Sequence, residues 1–442
     1  MSRGFESHAL RTCEESPHYE GIRVSDQLRP RSSRSKVRTI ARHGRLKKSH
    51  PAATVMKFLA ASLAVLMVSG ASVAAIAAYD VVASRKPGVH LENEVKGEPA
   101  PEFSAIKGGV NLLVVGSDSR KGQDKVFGAE DSTGDLNDVT LLLHISEDHS
   151  NASVISFPRD MYVPIPGCPN PDGGTYSAMS RQKINTTLTY GGLACTVLTV
   201  EKLTGLKIPY AAEMQFSGVT AMSTAVGGVE VCVAEDIEDK HTNTYLKAGK
   251  HSLQGLAALQ FLRTRHGIGD GSDLTRINNQ QVFMSALLRT IKSSDTLSDF
   301  TKVYSLAKAA TANMQLSTSL NSPDTLVSIA LALKDIDLAK LVFVQVPTYY
   351  TDGGVAPLQP DFEGMFKAIA ADKSIQLGGS TGRGATVDPD APVAPAPPKP
   401  SASGTPTPKP EESDAPTVLP DSATGQTADE HTCSVGRTLN NQ

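Results

Sequence analysis

A chain of 442 residues with 40% hydrophobic, 20% charged and 5% aromatic residues, and no Trp, has room for two average domains but is too polar to be packed core throughout. Its net charge of −3 is unevenly spread: residues 1–57 hold thirteen Lys/Arg against five Asp/Glu, a balance of +8 that leaves −11 for the remainder. A uniformly basic, nucleic-acid-binding protein is thereby excluded, and five cysteines in this length exclude a dense disulfide scaffold.

Residues 58–78, FLAASLAVLMVSGASVAAIAA, carry no charge. Twenty-one residues at about 1.5 Å each cross roughly 30 Å of hydrocarbon. A signal-peptide core is shorter and comes after a short leader, whereas 57 residues precede this stretch. Arg29 to Lys57 contains ten Lys/Arg and no acid, a bias that holds the N-terminus in the cytoplasm and exports the chain beyond the span. The expected organisation is a basic cytoplasmic segment (1–57), a single-pass transmembrane helix (58–78), a linker (79–100), an extracytoplasmic body (101–375) and a Pro-rich tail (376–442). Pro389 to Pro420 contains eleven prolines and no aromatic occurs after Phe366, so the tail is expected to be disordered or extended.

The body alternates apolar runs with helical patterns. Strands are expected at Val110–Val115, Val139–Ile145, Ser153–Phe157, Ala211–Phe216, Val229–Val233 and Leu341–Val346. Continuous apolar runs of this kind suit strands covered on both faces. Helical spacing marks Thr196–Leu203, Leu253–Leu262 and Arg276–Ile291, the last through Ile277, Phe283, Met284, Leu287, Leu288 and Ile291. The alternation indicates an α/β fold, a three-layer α/β/α sandwich. Cys168 and Cys195 flank a polar Pro/Gly-rich loop and are expected to close it as a disulfide; Cys232 reads as a buried small hydrophobe, and Cys433 is left over. His144, inside an apolar strand, reads as a core hydrogen-bonding group.

Four polar clusters interrupt this frame at strand ends or helix starts, where α/β sheets place ligands. They are Gly116-Ser117-Asp118-Ser119-Arg120, Asn137-Asp138, Ser156-Phe157-Pro158-Arg159-Asp160, and the run from Arg263 through Arg265, His266, Asp273 and Arg276 to Gln280. Singly, each reads as a turn, a cap or a solvated face. Together they mix guanidinium forks, which match phosphate oxygens, with carboxylates that suit a hard cation. The set points to a Mg²⁺-assisted pyrophosphate clamp. No Walker loop is present, which argues against a P-loop nucleotide site.

In their order, and with Lys183-Ile184-Asn185 ahead of Tyr190-Gly191-Gly192, these motifs resemble the LytR–CpsA–Psr family over roughly residues 110–290. The Cys168/Cys195 pair and the Thr-rich tail resemble its actinobacterial branch. The resemblance implies a central mixed sheet and a membrane-anchored transferase. It implies transfer of a glycopolymer from a polyprenyl-pyrophosphate carrier to the 6-hydroxyl of N-acetylmuramic acid in peptidoglycan. It implies pyrophosphate binding by Arg120, Arg159, Lys183, Arg263, Arg265, Arg276 and Gln280, catalytic roles for Asp118, Arg159 and Asp273, and Mg²⁺ at Asp118 and Asp138. Three places depart from the usual pattern: Leu136 and Asn279 stand where arginine is common, and Thr275 where glycine is. Two other classes stay open at this point, a polyprenyl-pyrophosphate phosphatase and a non-enzymatic envelope regulator.

Overall fold

The computed structural model describes residues 51–83, 86–94, 106–127, 135–170, 172–292, 300–391 and 416–442. The basic segment up to residue 50, with Cys13, and residues 392–415 of the Pro-rich stretch lie outside them. The chain divides into two units, 1–67 and 68–442. Helix α1 (Pro51–Ala83) contains an apolar stretch, Thr54–Val73, long and apolar enough to cross a membrane, and its large apolar side chains, Phe58 and Leu66 among them, are exposed.

The second unit is built on a mixed sheet of seven strands among the described residues. In chain order its strands, with those of a smaller sheet, are β1 (Val110–Ser117), β2 (Asn137–Ile145), β3 (Ala152–Phe157), β4 (Tyr210–Met214), β5 (Val229–Val233), β6 (Gly249–Leu253), β7 (Met314–Leu316), β8 (Leu341–Gln345), β9 (Ala385–Val387), β10 (Gly425–Thr427) and β11 (Thr432–Ser434). The large sheet runs β7-β4-β1-β2-β3-β8-β10, and the smaller one β6-β5-β11-β9. Strand β1 pairs antiparallel with β2 and parallel with β4, while β3 pairs antiparallel with β2 and parallel with β8.

The helices are α2 (Thr187–Thr204), α3 (Phe216–Ala225), α4 (Leu256–Arg263), α5 (Asp273–Lys292), α6 (Phe300–Asn313), α7 (Pro323–Asp335) and α8 (Asp361–Ala370). The two-residue period of β1 sends Leu113 and Val115 into one core with Val200 of α2 and Phe366 of α8. It sends Val110 and Leu112 into another, with Met284 and Leu288 of α5 and Ile329 of α7. Helices thus cover both faces, which is the expected three-layer sandwich.

His144 lies in β2, buried, with Nδ1 2.8 Å from Asn111 Oδ1 and Nε2 3.6 Å from Asp372. Burial pulls its pKa below the ordinary value, and the nearby Asp372 carboxylate only partly opposes this. A histidine with a depressed folded pKa contributes stability above its unfolded pKa and loses it as pH falls. Stability is therefore expected to decline as pH drops below about 6.5. Denaturant unfolding at a series of pH values should show a shallower decline in His144→Asn.

Several boundaries differ from expectation. Phe216 opens α3 rather than ending a strand, and Leu253 ends β6 rather than starting α4. The linker expected at 79–100 is partly packed: Leu91 is buried in the core and Val89 bridges Ser317. The tail expected to be disordered over 376–442 is corrected for its described residues, 376–391 and 416–442, since β9 and β11 pair in the smaller sheet and β10 joins the edge of the main one. Cys168 and Cys195 are disulfide-bonded as expected. Cys232 is not a free core thiol and Cys433 is not left over; they form a second disulfide across β5 and β11.

Candidate pyrophosphate-binding site

The four polar clusters converge at the ends of β1, β2 and β3 and at the start of α5. A register shift between Gly116 and Ser117 ends regular pairing of β1 with β2. It turns Asp118 across to Leu136, whose backbone N–H donates to Asp118 Oδ1 at 2.8 Å while the Asp118 N–H donates to the Leu136 carbonyl at 3.0 Å. Asp138 comes next, at the start of β2, and Arg159 lies just beyond β3.

Arg159 is the centre of the network. Its Nη1 donates to Asp138 Oδ1 at 2.6 Å, and its Nε lies 3.3 Å from Asp273 Oδ1 and 3.6 Å from Asp160 Oδ2. Asp160 in turn accepts from Lys183 Nζ at 2.8 Å. Arg276, almost fully buried in the first turn of α5, has Nη2 2.7 Å from Asp273 Oδ1 and donates to the Asp138 carbonyl at 3.0 Å. Asp273, at the positive end of α5, thus joins Arg159 and Arg276. Arg159 Nε, Arg276 Nε and both Asp273 carboxylate oxygens are buried without a well-directed hydrogen bond, so the charges are held close with directional bonding capacity unused.

Arg263, at the end of α4, lays its guanidinium 4.4 Å from the centre of the Phe216 ring, and makes no ion pair among the described residues. Burial lowers its pKa; Asp138 opposes this, and Arg120 and Arg276 repel it further. Burial also dominates at Arg276, against the attraction of Asp273 and Asp138. At Arg159, burial is outweighed by Asp138, Asp273 and Asp160, which hold its pKa above the ordinary value. Burial raises the pKa of Asp118, against the hydrogen bond from Leu136 and with added repulsion from Asp138 and Asp135.

The site thus brings together Asp118, Asp138, Arg120, Arg159, Lys183, Arg263, Arg265, Asp273 and Arg276. Arg265 is close enough to Arg276 to repel it, and its Nε donates to the Gly271 carbonyl at 3.0 Å. Gln280 is turned to another use: its amide donates to the Leu262 carbonyl at 3.2 Å and braces α4 against α5. Asp160 was legible within the Arg159-Asp160 motif but not singled out. The Phe216 shelf under Arg263 had no sequence signal, because its partner lies 47 positions along the chain. Counting Asp160, six cationic side chains face four carboxylates, an excess of two positive charges.

The later turns of α5, beyond this cluster, carry an apolar stripe. Met284, Leu287, Leu288 and Ile291, with Val114 and Leu141 of the sheet, line a cavity of about 160 Å³ between α5 and the sheet that has no polar wall.

The LytR_cpsA_psr family model matches residues 76–366. The chain is 28% identical over 316 residues to the cell wall biosynthesis protein LcpA of Corynebacterium glutamicum, covering 66% of this chain and 59% of that protein. It is 37% identical over 211 residues to the probable cell wall biosynthesis protein LcpB of the same organism, covering 46% and 47%. It therefore spans about half to three-fifths of the length of these two relatives. It is 27% identical over 308 residues to TagT of Bacillus subtilis, a polyisoprenyl-teichoic acid–peptidoglycan teichoic acid transferase, covering 68% and 89%. Among solved structures, a LytR-Csp2A-Psr enzyme from Actinomyces oris is 21% identical, covering 64% of this chain and 96% of that one with a TM-score of 0.49. With a family model matching well over half of its length, the chain belongs to the LytR_cpsA_psr family.

Proposed function

We propose that this protein is a membrane-anchored phosphotransferase that moves a glycopolymer from a polyprenyl-pyrophosphate carrier to the 6-hydroxyl of N-acetylmuramic acid in peptidoglycan. In this reading α1 is a single-pass anchor, with the N-terminus cytoplasmic and the catalytic unit outside. The observation that carries it is the change of character along α5. Its first turn supplies Asp273 and Arg276 to a cluster with two surplus positive charges, and its later turns line an apolar cavity. A ligand that satisfies both is an amphiphile: two negative charges on a diphosphate diester, attached to a long hydrocarbon.

The acceptor hydroxyl would attack the phosphorus bearing the sugar. A new P–O bond forms, the bridging P–O bond breaks, and polyprenyl phosphate leaves. Such transfer asks the protein mainly for positioning and charge stabilisation. Arg159, Arg263 and Arg276 suit the phosphate oxygens, with Arg120 and Arg265 at the edge and Lys183 acting through Asp160. Asp118, whose pKa burial has raised, suits acceptance of the hydroxyl proton. Asp273, held between two guanidiniums, suits charge balance instead.

Asp118 and Asp138 also fit a hard divalent cation such as Mg²⁺. They repel one another, and among the described residues one oxygen of each is engaged in a hydrogen bond. When bound, the ion would neutralise charge on the diphosphate.

The test is the full chain in vesicles, given a polyprenyl-diphosphate-linked glycopolymer and peptidoglycan. The expected outcome is a covalent polymer–peptidoglycan product with release of polyprenyl monophosphate. Release of monophosphate with free polymer would replace the transferase by a phosphatase; neither product would overturn the reading. The cavity makes its own prediction. Leu288→Asp is expected to weaken binding of a long polyprenyl diphosphate by roughly tenfold or more, through lost apolar burial and a charge in the cavity, while inorganic pyrophosphate binds as before. Calorimetric titration with the two ligands checks this.

A further inference from the structure

The loop from Thr264 to Ser272 carries Arg265 and leads directly into Asp273, so its position sets part of the charged cluster. One side of it is tied to Asp239, whose Oδ2 accepts from Thr264 Oγ1 at 2.8 Å and from the backbone N–H groups of Arg265 and His266 at 3.1 Å each. The other side is held by a segment from the far end of the chain. The Val435 carbonyl accepts from the Gly269 N–H at 2.9 Å, the Arg437 N–H donates to the Gly267 carbonyl at 2.8 Å, and Ile268 bridges Gly436.

That segment is itself firmly anchored. Ser434 Oγ donates to Asn279 Oδ1 at 2.6 Å, and Asn279 Nδ2 donates to the Phe261 carbonyl at 2.7 Å, all in buried surroundings. The Ala234 N–H donates to the Ser434 carbonyl at 2.9 Å, and Cys433 is disulfide-bonded to Cys232. A Cβ at Gly436 would lie 1.8 Å from the Glu235 carbonyl oxygen, so this approach requires glycine. The family match ends at residue 366, before Cys433, Ser434, Gly436 and Arg437. Asn279, which departs from the pattern the family resemblance implies, is committed to this contact rather than to the charged cluster.

We propose that residues 432–437 are a positioning clasp, latched by Cys232–Cys433 and Ser434–Asn279, that fixes the Thr264–Ser272 loop and thereby sets the site's affinity for a diphosphate. Ser434 and Asn279 are positioning residues in this scheme, acting through the loop. The diphosphate part rests on the function proposed above; the loop part does not.

The experiment uses the full chain and three variants: Ser434→Ala, Ser434→Thr, and the double variant Cys232→Ala/Cys433→Ala. Amide hydrogen exchange is monitored at residues 264–272, with β1 and β2 as internal reference, and inorganic pyrophosphate is titrated into each protein. In Ser434→Ala and the double variant, exchange in the loop is expected to rise by about tenfold or more with the reference strands unchanged, and the pyrophosphate Kd to rise in step. Ser434→Thr, which keeps the hydroxyl, should behave like the unaltered chain. Unchanged loop exchange would overturn the clasp, and so would a loosened loop with unchanged pyrophosphate affinity. If the unaltered chain does not bind pyrophosphate, the diphosphate reading fails, and loop exchange alone decides the clasp. Should the double variant not fold, Ser434→Ala carries the test.

Discussion

Replacing Arg159 by alanine is expected to slow glycopolymer transfer by about 10²–10³-fold, on the scale of losing one strong, preorganised donor to a developing charge. Among the described residues, Arg159 is the one side chain that touches Asp138, Asp273 and Asp160 together. Its loss leaves three carboxylates facing the space where a diphosphate would sit, turning an excess of two positive charges into an excess of one. Arg159→Lys should recover only part of the rate, since an ammonium keeps the charge but not the planar fork that can address two oxygens at once. The measurement is the initial rate at saturating lipid substrate, with circular dichroism to confirm folding. Near-normal transfer by Arg159→Ala would remove the guanidinium from any catalytic role.

Asp273→Ala is expected to destabilise the folded chain by about 3–5 kcal/mol, the range for stripping the partner from a buried ion pair. Arg276 is almost fully buried, and its Nη2 lies 2.7 Å from Asp273. Without that carboxylate, the ion-pair contact among the described residues is gone, and what remains is a hydrogen bond to the Asp138 carbonyl and the attraction of the Asp138 carboxylate. The double variant Asp273→Ala/Arg276→Leu should regain much of the loss, because the buried charge disappears with its partner. Denaturant midpoints for the two single variants and the double variant complete the cycle. Additive losses would show that Asp273 and Arg276 are not energetically coupled. The double variant should remain inactive, which separates stability from function at this pair.

The fold was legible where the pattern was local. Runs such as Val139–Ile145 are apolar on both faces because both faces are covered, and the α5 stripe repeats at helical spacing along the helix. The site residues were legible because each sits beside such an element, at its end. The features hidden from the sequence were non-local. Residues 416–442 contain no aromatic and few aliphatics, so they read as unable to order themselves. They order by borrowing an existing edge: β10 pairs with β8 through Val344 and Gly425, and β11 is covalently tied to β5. Cys232 looked like core for the same reason, its partner being 201 positions away. Gln280, read as a ligand group from its place in the motif, braces the Leu262 carbonyl instead; a helix position one turn past Arg276 faces α4.

The arrangement also explains how so many like charges are tolerated in one place. Arg159, Arg263 and Arg276 are brought together by folding, at a cost in desolvation and mutual repulsion. Asp138, Asp273 and Asp160 oppose it, outweighing burial at Arg159, and the Phe216 ring face offers Arg263 a further favourable surface. A bound dianion would satisfy the surplus that remains.

The most direct test is structural. The folded unit from Val68 onward, or the full chain in detergent, is crystallised or imaged with a polyprenyl diphosphate. The expected density places the two phosphates among Arg159, Arg263 and Arg276, with the hydrocarbon entering the space between α5 and the sheet beside Leu287 and Leu288. Density for the diphosphate at any other surface, or a cluster left without phosphate at saturating lipid, would contradict it.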